Sequence, residues 1–256
     1  MPEALALEIE LARPRVAARE ILPLEARGVV FEAGGKRLLD GIDLTLQEGA
    51  LTVLMGPNGA GKSLLLRVLH GLLRPSAGQV LWNGAPVGAE ITRRQAMVFQ
   101  RPVLLRRSVA ANVRYALATR GVPRARRGER AAGVLEFANL SHLADRAARV
   151  LSGGEQQRLA IARALATEPD VLFFDEPTAS LDPASTLAVE ELVSRAQAVG
   201  TKIVLVTHDI GQARRLADEV IFLHRGRLLE QTPAERFFQS PSSEKARAFL
   251  AGRIVL

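Results

Sequence analysis

The stretch Gly56-Pro57-Asn58-Gly59-Ala60-Gly61-Lys62-Ser63 constrains this chain more than any other. It matches the pattern G-x-x-x-x-G-K-S in full, and that pattern works only with a strand before it and a helix after it. Leu51 to Met55 is a short apolar run of strand type. Ser63 to Leu73 has the length and composition of a helix, ended by Gly71 and Pro75. The glycines let backbone N–H groups close around phosphates, where side chains would obstruct them. The helix points its positive N-terminal end at the same charge. Lys62 is placed to meet the β- and γ-phosphates, and the Ser63 hydroxyl to hold Mg²⁺. By itself the loop marks a nucleotide site and nothing more.

Around it the chain alternates strand and helix patterns. Leu24 to Phe31 and Gly41 to Leu46 read as strands about the turn Gly34-Gly35-Lys36. Gly78 to Val87 reads as a hairpin with an Asn83-Gly84 turn, and Ala96 to Phe99 as a strand stopped by Gln100 and Pro102. From Arg101 to Val150 the β signal vanishes and Ala, Leu and Arg dominate, as in a helical subdomain inserted into a sheet domain. Its Arg124–Arg130 cluster reads as a solvated loop. The alternation then resumes with helices over 152–166, 183–199 and 210–216, strands over 171–174 and 202–207, and a closing pair at 219–224 and 226–231. The fold class expected is α/β: a P-loop NTPase core with an antiparallel β subdomain and the inserted helices. The expected organisation is a leader over 1–23, the nucleotide-binding domain over 24–240 with its helical subdomain at about 101–150, and a short tail over 241–256.

Bulk properties narrow the rest. The 256 residues are within reach of one α/β unit with a subdomain. No apolar run approaches the roughly 18 to 20 residues needed to span a bilayer. The amino terminus carries Glu3, Glu8 and Glu10 and does not read as a secretory signal. Without cysteine there is no disulfide, thiolate metal site or cysteine nucleophile. The charge of +7 comes almost wholly from arginine. No aromatic ladder or recognition motif accompanies it, so an arginine-rich surface facing anionic head groups and membrane partners is favoured over nucleic-acid binding.

Two further stretches carry chemistry. Val171 to Phe174 is an apolar strand ending in Asp175 and Glu176, close enough to the loop for Asp175 to reach Mg²⁺, directly or through water. Leu151-Ser152-Gly153-Gly154-Glu155-Gln156-Gln157 again has small residues opening a helix, hence a second anion site. One chain has no use for two such sites around one γ-phosphate. The loop, the Ser-Gly-Gly-Glu-Gln stretch and the acidic strand, in this order, make the chain resemble the ATP-binding cassette family, the ATPase subunits of membrane transporters. The resemblance runs from about Leu24 to about Arg227.

That resemblance implies Mg-ATP hydrolysis by a homodimer. Each phosphate loop would be closed by Ser152, Gly153, Gly154, Glu155 and Gln156 of the other copy, head to tail. Glu176 would be the general base. Gln100 would touch Mg²⁺ and the lytic water and move with the helical subdomain. His208 would hydrogen-bond the γ-phosphate, and Ser180-Leu181-Asp182 would cross the dimer interface. His70, His142 and His224 read as structural or surface residues. The aromatic that normally stacks on adenine falls at Ala33; Phe31, two residues earlier on the same strand face, either replaces it or belongs to the core. Trp82 reads as packing.

Among family members, importer subunits are the nearest likeness. The segment Phe99 to Val109 resembles the stretch that faces the coupling helix of a permease. Within importers, the Gln100–Val109 segment, the Gly211–Asp218 helix and the tail from Thr232 resemble oxyanion systems, tungstate first, phosphate or molybdate next. The implied partners are permease subunits and, indirectly, a periplasmic or extracellular substrate-binding protein, with no nucleic acid. The implied location is the cytoplasmic face of the plasma membrane. The alternative is a soluble ATPase of the iron–sulfur assembly type, or an importer of another solute.

Overall fold

The computed structural model describes residues 21–253. The leader through residue 20 lies outside them. Its last residues, Ile21 and Leu22, are buried in the core. The chain then forms strand β1 (Leu24–Ala33) and strand β2 (Lys36–Leu46), joined by the two-residue Gly34-Gly35 turn. Strand β3 (Thr52–Met55) leads through the phosphate loop into helix α1 (Lys62–His70), which Gly71 ends in the left-handed conformation. Strands β4 (Ala77–Trp82) and β5 (Ala85–Pro86) make the hairpin turning at Asn83-Gly84. A short helix α2 (Ala89–Arg93) and strand β6 (Gln95–Val98) follow.

Helices α3 (Val109–Thr119) and α4 (Arg127–Phe137) occupy the arginine-rich stretch. The expectation of a solvated loop over Arg124–Arg130 is corrected here. Arg124–Arg126 is a 3₁₀ turn and Arg127 already begins α4. Arg127 Nε donates to the Val122 carbonyl at 2.6 Å, Arg130 pairs with Glu168, and Ala131, Val134 and Leu135 bury the inner face of α4. That apolar stripe outweighs the charge run, because long basic side chains keep their heads in water along a helix.

Helix α5 (Gly153–Leu165), strand β7 (Val171–Asp175), helix α6 (Pro183–Ala198), strand β8 (Lys202–Val206), helix α7 (Ile210–Leu216) and strands β9 (Glu219–His224) and β10 (Arg227–Pro233) complete the alternation. Two short helices follow β10, and residues 254–256 of the expected tail lie outside the described residues. Helix α8 (Ala234–Gln239) and helix α9 (Glu244–Leu250) bring Phe237 and Phe249 to within 5.8 and 5.4 Å of the Phe222 ring.

Among the described residues two sheets form. One runs β2-β1-β4-β5, all antiparallel. The other runs β10-β9-β3-β8-β7-β6, parallel except at its β10 edge. Strands of the parallel sheet are apolar on both faces, as strands covered on both sides must be. Leu54, Phe173, Val204, Val206 and Ile221 face α1 and the antiparallel sheet. Their alternates Val53, Leu172, Phe174, Leu205 and Phe222 face the core shared with α3–α6. The sheet is therefore clamped rigidly, and the residues that leave its carboxyl edge are held in fixed relation.

Candidate nucleotide site

Four adjacent strands deliver the site. The register pairs Leu54 with Val206, Val206 with Asp175, and Phe174 with Val98. The phosphate loop after β3, His208 after β8, Glu176 after β7 and Gln100 after β6 thus emerge side by side. In open α/β sheets that carboxyl edge is where ligands bind.

The loop is shaped by close approach. A Cβ on Gly56 would lie 2.1 Å from the Leu223 carbonyl oxygen, so only glycine lets the loop rest on β9. Pro57, Asn58 and Gly59 carry the chain over the top, and the Ala60 amide returns to the Pro57 carbonyl at 3.1 Å. Gly61 precedes α1 in the left-handed region. Lys62, 5% exposed, donates through Nζ to the carbonyls of Gly56 at 2.8 Å and Pro57 at 3.1 Å. Burial pushes its ammonium below the usual lysine range, and the Glu176 and Asp175 carboxylates oppose that shift. The cradle, its lysine and the end of α1 fit the triphosphate of a nucleotide.

Ser63 Oγ donates to Asp175 Oδ1 at 2.5 Å, while Arg67 Nη2 stands 3.5 Å from Asp175 Oδ2. A hydroxyl beside one carboxylate is the hard-oxygen set Mg²⁺ takes when phosphates supply further ligands. No cluster of three or more His, Cys, Asp or Glu suited to a metal occurs among the described residues. Glu176 sits at φ 47°, a left-handed conformation uncommon for a side-chain-bearing residue. Its amide donates to the Val206 carbonyl at 3.0 Å, and its Oε2 lies 3.2 Å from His208 Nδ1. Strain of this kind is retained where surrounding structure over-determines it, often at functional sites. Glu176 and His208 also line a cavity of about 460 Å³ with Leu181 and Asp209.

The structure brings Lys62, Ser63, Asp175, Glu176 and His208 together. It leaves Gln100 exposed two residues past β6, its side chain without a hydrogen-bond partner among the described residues. Ser152, Gly153, Gly154, Glu155 and Gln156 open α5 elsewhere, with no hydrogen bond to the phosphate loop. Ser152 and Glu155 form a reciprocal capping box, at 3.3 and 2.7 Å, which holds Glu155 below the usual carboxylate range. Gln156 donates to the Leu151 carbonyl at 2.9 Å. A Cβ on Gly154 would meet Ser185 Oγ at 2.4 Å, so α5 lies directly on the start of α6, which Asp182 caps.

Gln157, Gln212 and Arg215 lie in stretches the motif reading singled out but make contacts it did not assign. Buried Gln157 donates to the Phe99 carbonyl at 3.3 Å, tying α5 to the segment that ends at Gln100. Buried Gln212 donates to Thr178 Oγ1 and Glu190 Oε1, and Arg215 forks onto the same Glu190 carboxylate at 2.8 and 2.7 Å. The available signal was polar residues at inward-facing helical positions. Phe31 is half-buried against the core while Ala33 is exposed, and the register shift beside them skips Leu38 of β2, leaving Phe31-Glu32-Ala33 of β1 uninterrupted. Phe31 and Ala33 lie two apart on an uninterrupted stretch of β1, so the bulge does not separate their faces. Trp82 is buried, 6.2 Å from the Phe173 ring. His70 packs edge-on to Phe173 at 5.5 Å, and burial lowers its pKa to about 4.

A glycine cradle and its lysine at the head of a helix, with a serine-bound aspartate at the carboxyl edge of a mostly parallel sheet, define a P-loop nucleotide-binding ATPase. The ABC transporter family model matches residues 39–179, and the chain belongs to that family as an ATP-binding ATPase subunit. It is 38% identical over 248 residues to the phosphate import ATP-binding protein PstB 2 of Natronomonas pharaonis, covering 91% of this chain and 87% of that one. It is also 38% identical to the methionine import ATP-binding protein MetN 2 of Rhodococcus jostii, covering 90% and 71%. Among solved structures, cbiO1 of Clostridium perfringens, part of the ABC transporter complex cbiONQ, superposes with a TM-score of 0.79. It is 29% identical, covering 90% of this chain and 96% of that one.

Proposed function

We propose that this chain hydrolyses Mg-ATP as the energising subunit of an importer. The observation that carries the catalytic reading is the meeting of Lys62, Ser63, Asp175, Glu176 and His208 at one sheet edge. Lys62 and the loop amides bind the β- and γ-phosphates. Ser63 and Asp175 hold Mg²⁺, with Gln100 arriving from β6; the ion neutralises phosphate charge when bound. Glu176 accepts the proton of the attacking water, and His208 contacts the γ-phosphate from the next strand. Ser152, Gly153, Gly154, Glu155 and Gln156 serve the site of a second copy, because they stand apart from the loop of their own chain. The active unit is thus a head-to-tail homodimer.

Import is supported by the named functions of the relatives. A groove of about 950 Å³ between β6 and the helical segment, with Phe99, Val103 and Tyr115 exposed along it, suits docking to permease subunits. No helix among the described residues is long and apolar enough to cross a membrane, so the reading puts the chain at the cytoplasmic face through that docking. An extracellular or periplasmic binding protein would deliver the cargo. We assign the cargo to the oxyanions, tungstate ahead of phosphate or molybdate, on the likeness of 100–109, 211–218 and the tail. The relatives span phosphate, methionine and glutamine transport, so cargo is decided by uptake. A strain lacking the gene should lose tungstate uptake at nanomolar supply and keep phosphate uptake. Normal tungstate uptake with impaired phosphate or methionine uptake would reassign it.

A further inference from the structure

The charge of this protein is not spread evenly. Residues 101–150 hold eleven arginines and three carboxylates, a balance of +8, whereas the whole chain carries +7. Within that segment a cavity of about 390 Å³ is lined by Arg106, Arg107, Ser108, Asp145, Ala147 and Arg149. Its three arginines are exposed, and none forms an ion pair among the described residues. Asp145 leaves the cavity at +2.

Its walls are fixed by hydrogen bonds. Asn112, fully buried, accepts from the Leu105 amide at 2.9 Å and donates to the carbonyls of Leu105 at 3.2 Å and Ser108 at 3.0 Å. The opposite wall is tied on by Val109 N to Arg146 O at 2.9 Å, Ala110 N to Ala144 O at 2.8 Å and Ala148 N to Arg107 O at 2.9 Å. The Arg107 guanidinium stands 6.0 Å from the centre of the Tyr115 ring. The first amides of α3 are consumed by these bonds and by the Ser108 cap, so the helix end is not the binding element. Ser108 accepts in that cap and keeps its own hydroxyl proton to donate. What remains is three unpaired guanidiniums and one hydroxyl around a rigid hollow. Planar forks of donors on a fixed backbone match the oxygens of a phosphate group.

We propose that the Arg106–Arg107–Arg149 cavity binds a phosphate-class anion, either the head group of an anionic phospholipid or a free phosphate. This does not depend on the importer reading, since it requires neither hydrolysis nor a permease. The test uses the full chain saturated with Mg-ADP, so that the nucleotide site is filled in every arm. One arm is cosedimentation with vesicles of phosphatidylcholine alone or mixed with phosphatidylglycerol. The other is titration with inorganic phosphate. The variants are the triple Arg106→Gln, Arg107→Gln, Arg149→Gln and a control double Arg124→Gln, Arg126→Gln, which removes charge from the same segment outside the cavity.

Native protein should bind phosphatidylglycerol vesicles and not phosphatidylcholine. The triple should weaken this by roughly a hundredfold, a factor of about five for each arginine, and the control double should weaken it less than the triple by more than one such factor. Phosphate binding lost in the triple, without vesicle binding, would make the ligand the free anion. Binding to neither probe overturns the proposal. So does a loss per arginine in the control double as large as that in the triple, which would mean diffuse charge without a site.

Discussion

The Ser63 hydroxyl donates a 2.5 Å hydrogen bond to Asp175 Oδ1, joining the first turn of α1 to the last residue of β7, 112 positions away in the chain. That single bond registers the phosphate loop against the acidic strand, so Glu176, the next residue, is aimed by the same contact. Lys62 lies one residue before the serine and is buried over the loop. Charge and geometry are therefore built from two short segments that the sheet holds in register.

Lys62→Ala should weaken ATP binding by about 10- to 100-fold, the loss of a charge-assisted contact to phosphate. Glu176→Gln should leave binding intact and lower turnover by about 10²–10⁴-fold, the usual worth of a positioned base. Equilibrium binding and single-turnover hydrolysis separate the two. Full turnover in the glutamine variant would remove Glu176 as base.

Gly154→Ala should destabilise the fold by about 1–3 kcal/mol through overpacking, because its new Cβ would lie 2.6 Å from Ser185 Cβ. Thermal melts of Gly154→Ala, Ser185→Gly and the double variant form a cycle in which the second change should recover part of the first loss. Strict additivity would mean that α5 and α6 do not touch as described.

Those two helices show where the sequence is legible and where it is silent. The loop, the acidic strand and the capped start of α5 depend on neighbours within a few residues, so motif and period reveal them. The Gly154–Ser185 approach joins positions that share no local pattern. Helices α8 and α9 are short and separated by Ser240-Pro241, so their periodicity is too brief to read; aromatic packing on Phe222 stabilises them. The Arg124–Arg130 run misleads because its charges mask the buried stripe at Ala131, Val134 and Leu135.

Lys202 makes stability depend on pH. It is 2% exposed, donates to Thr52 Oγ1 at 2.9 Å and to the Ala50 carbonyl, and burial lowers its pKa from 10.5 to about 8 against the pull of Glu219 and Asp218. The folded state disfavours the charged form, so between pH 8 and 10.5 the unfolded chain holds a proton that the folded chain has released. Stability contributed by this group therefore rises with pH across that window, and the cost is fully present below about pH 8. The shift corresponds to roughly 3 kcal/mol. Urea titrations of native and Lys202→Met proteins should differ in slope with pH only in that range; parallel curves would refute the assignment.

Ala33 offers a nucleobase only a methyl group. Where an aromatic stacks, it adds about 1–3 kcal/mol. Ala33→Tyr should tighten ATP binding by up to about tenfold and sharpen the preference for ATP over GTP. Phe31→Ala should mainly lower the melting temperature, since Phe31 packs on the core. A large affinity loss in Phe31→Ala at unchanged stability would make Phe31 the base platform.

The composite site is the central claim, and molar mass tests it most directly. Glu176→Gln protein with saturating Mg-ATP, measured by light scattering behind size exclusion, should run at twice the mass of one chain. It should return to a single chain when Ser152→Phe or Lys62→Ala is added. A single-chain mass with ATP demonstrably bound would contradict it.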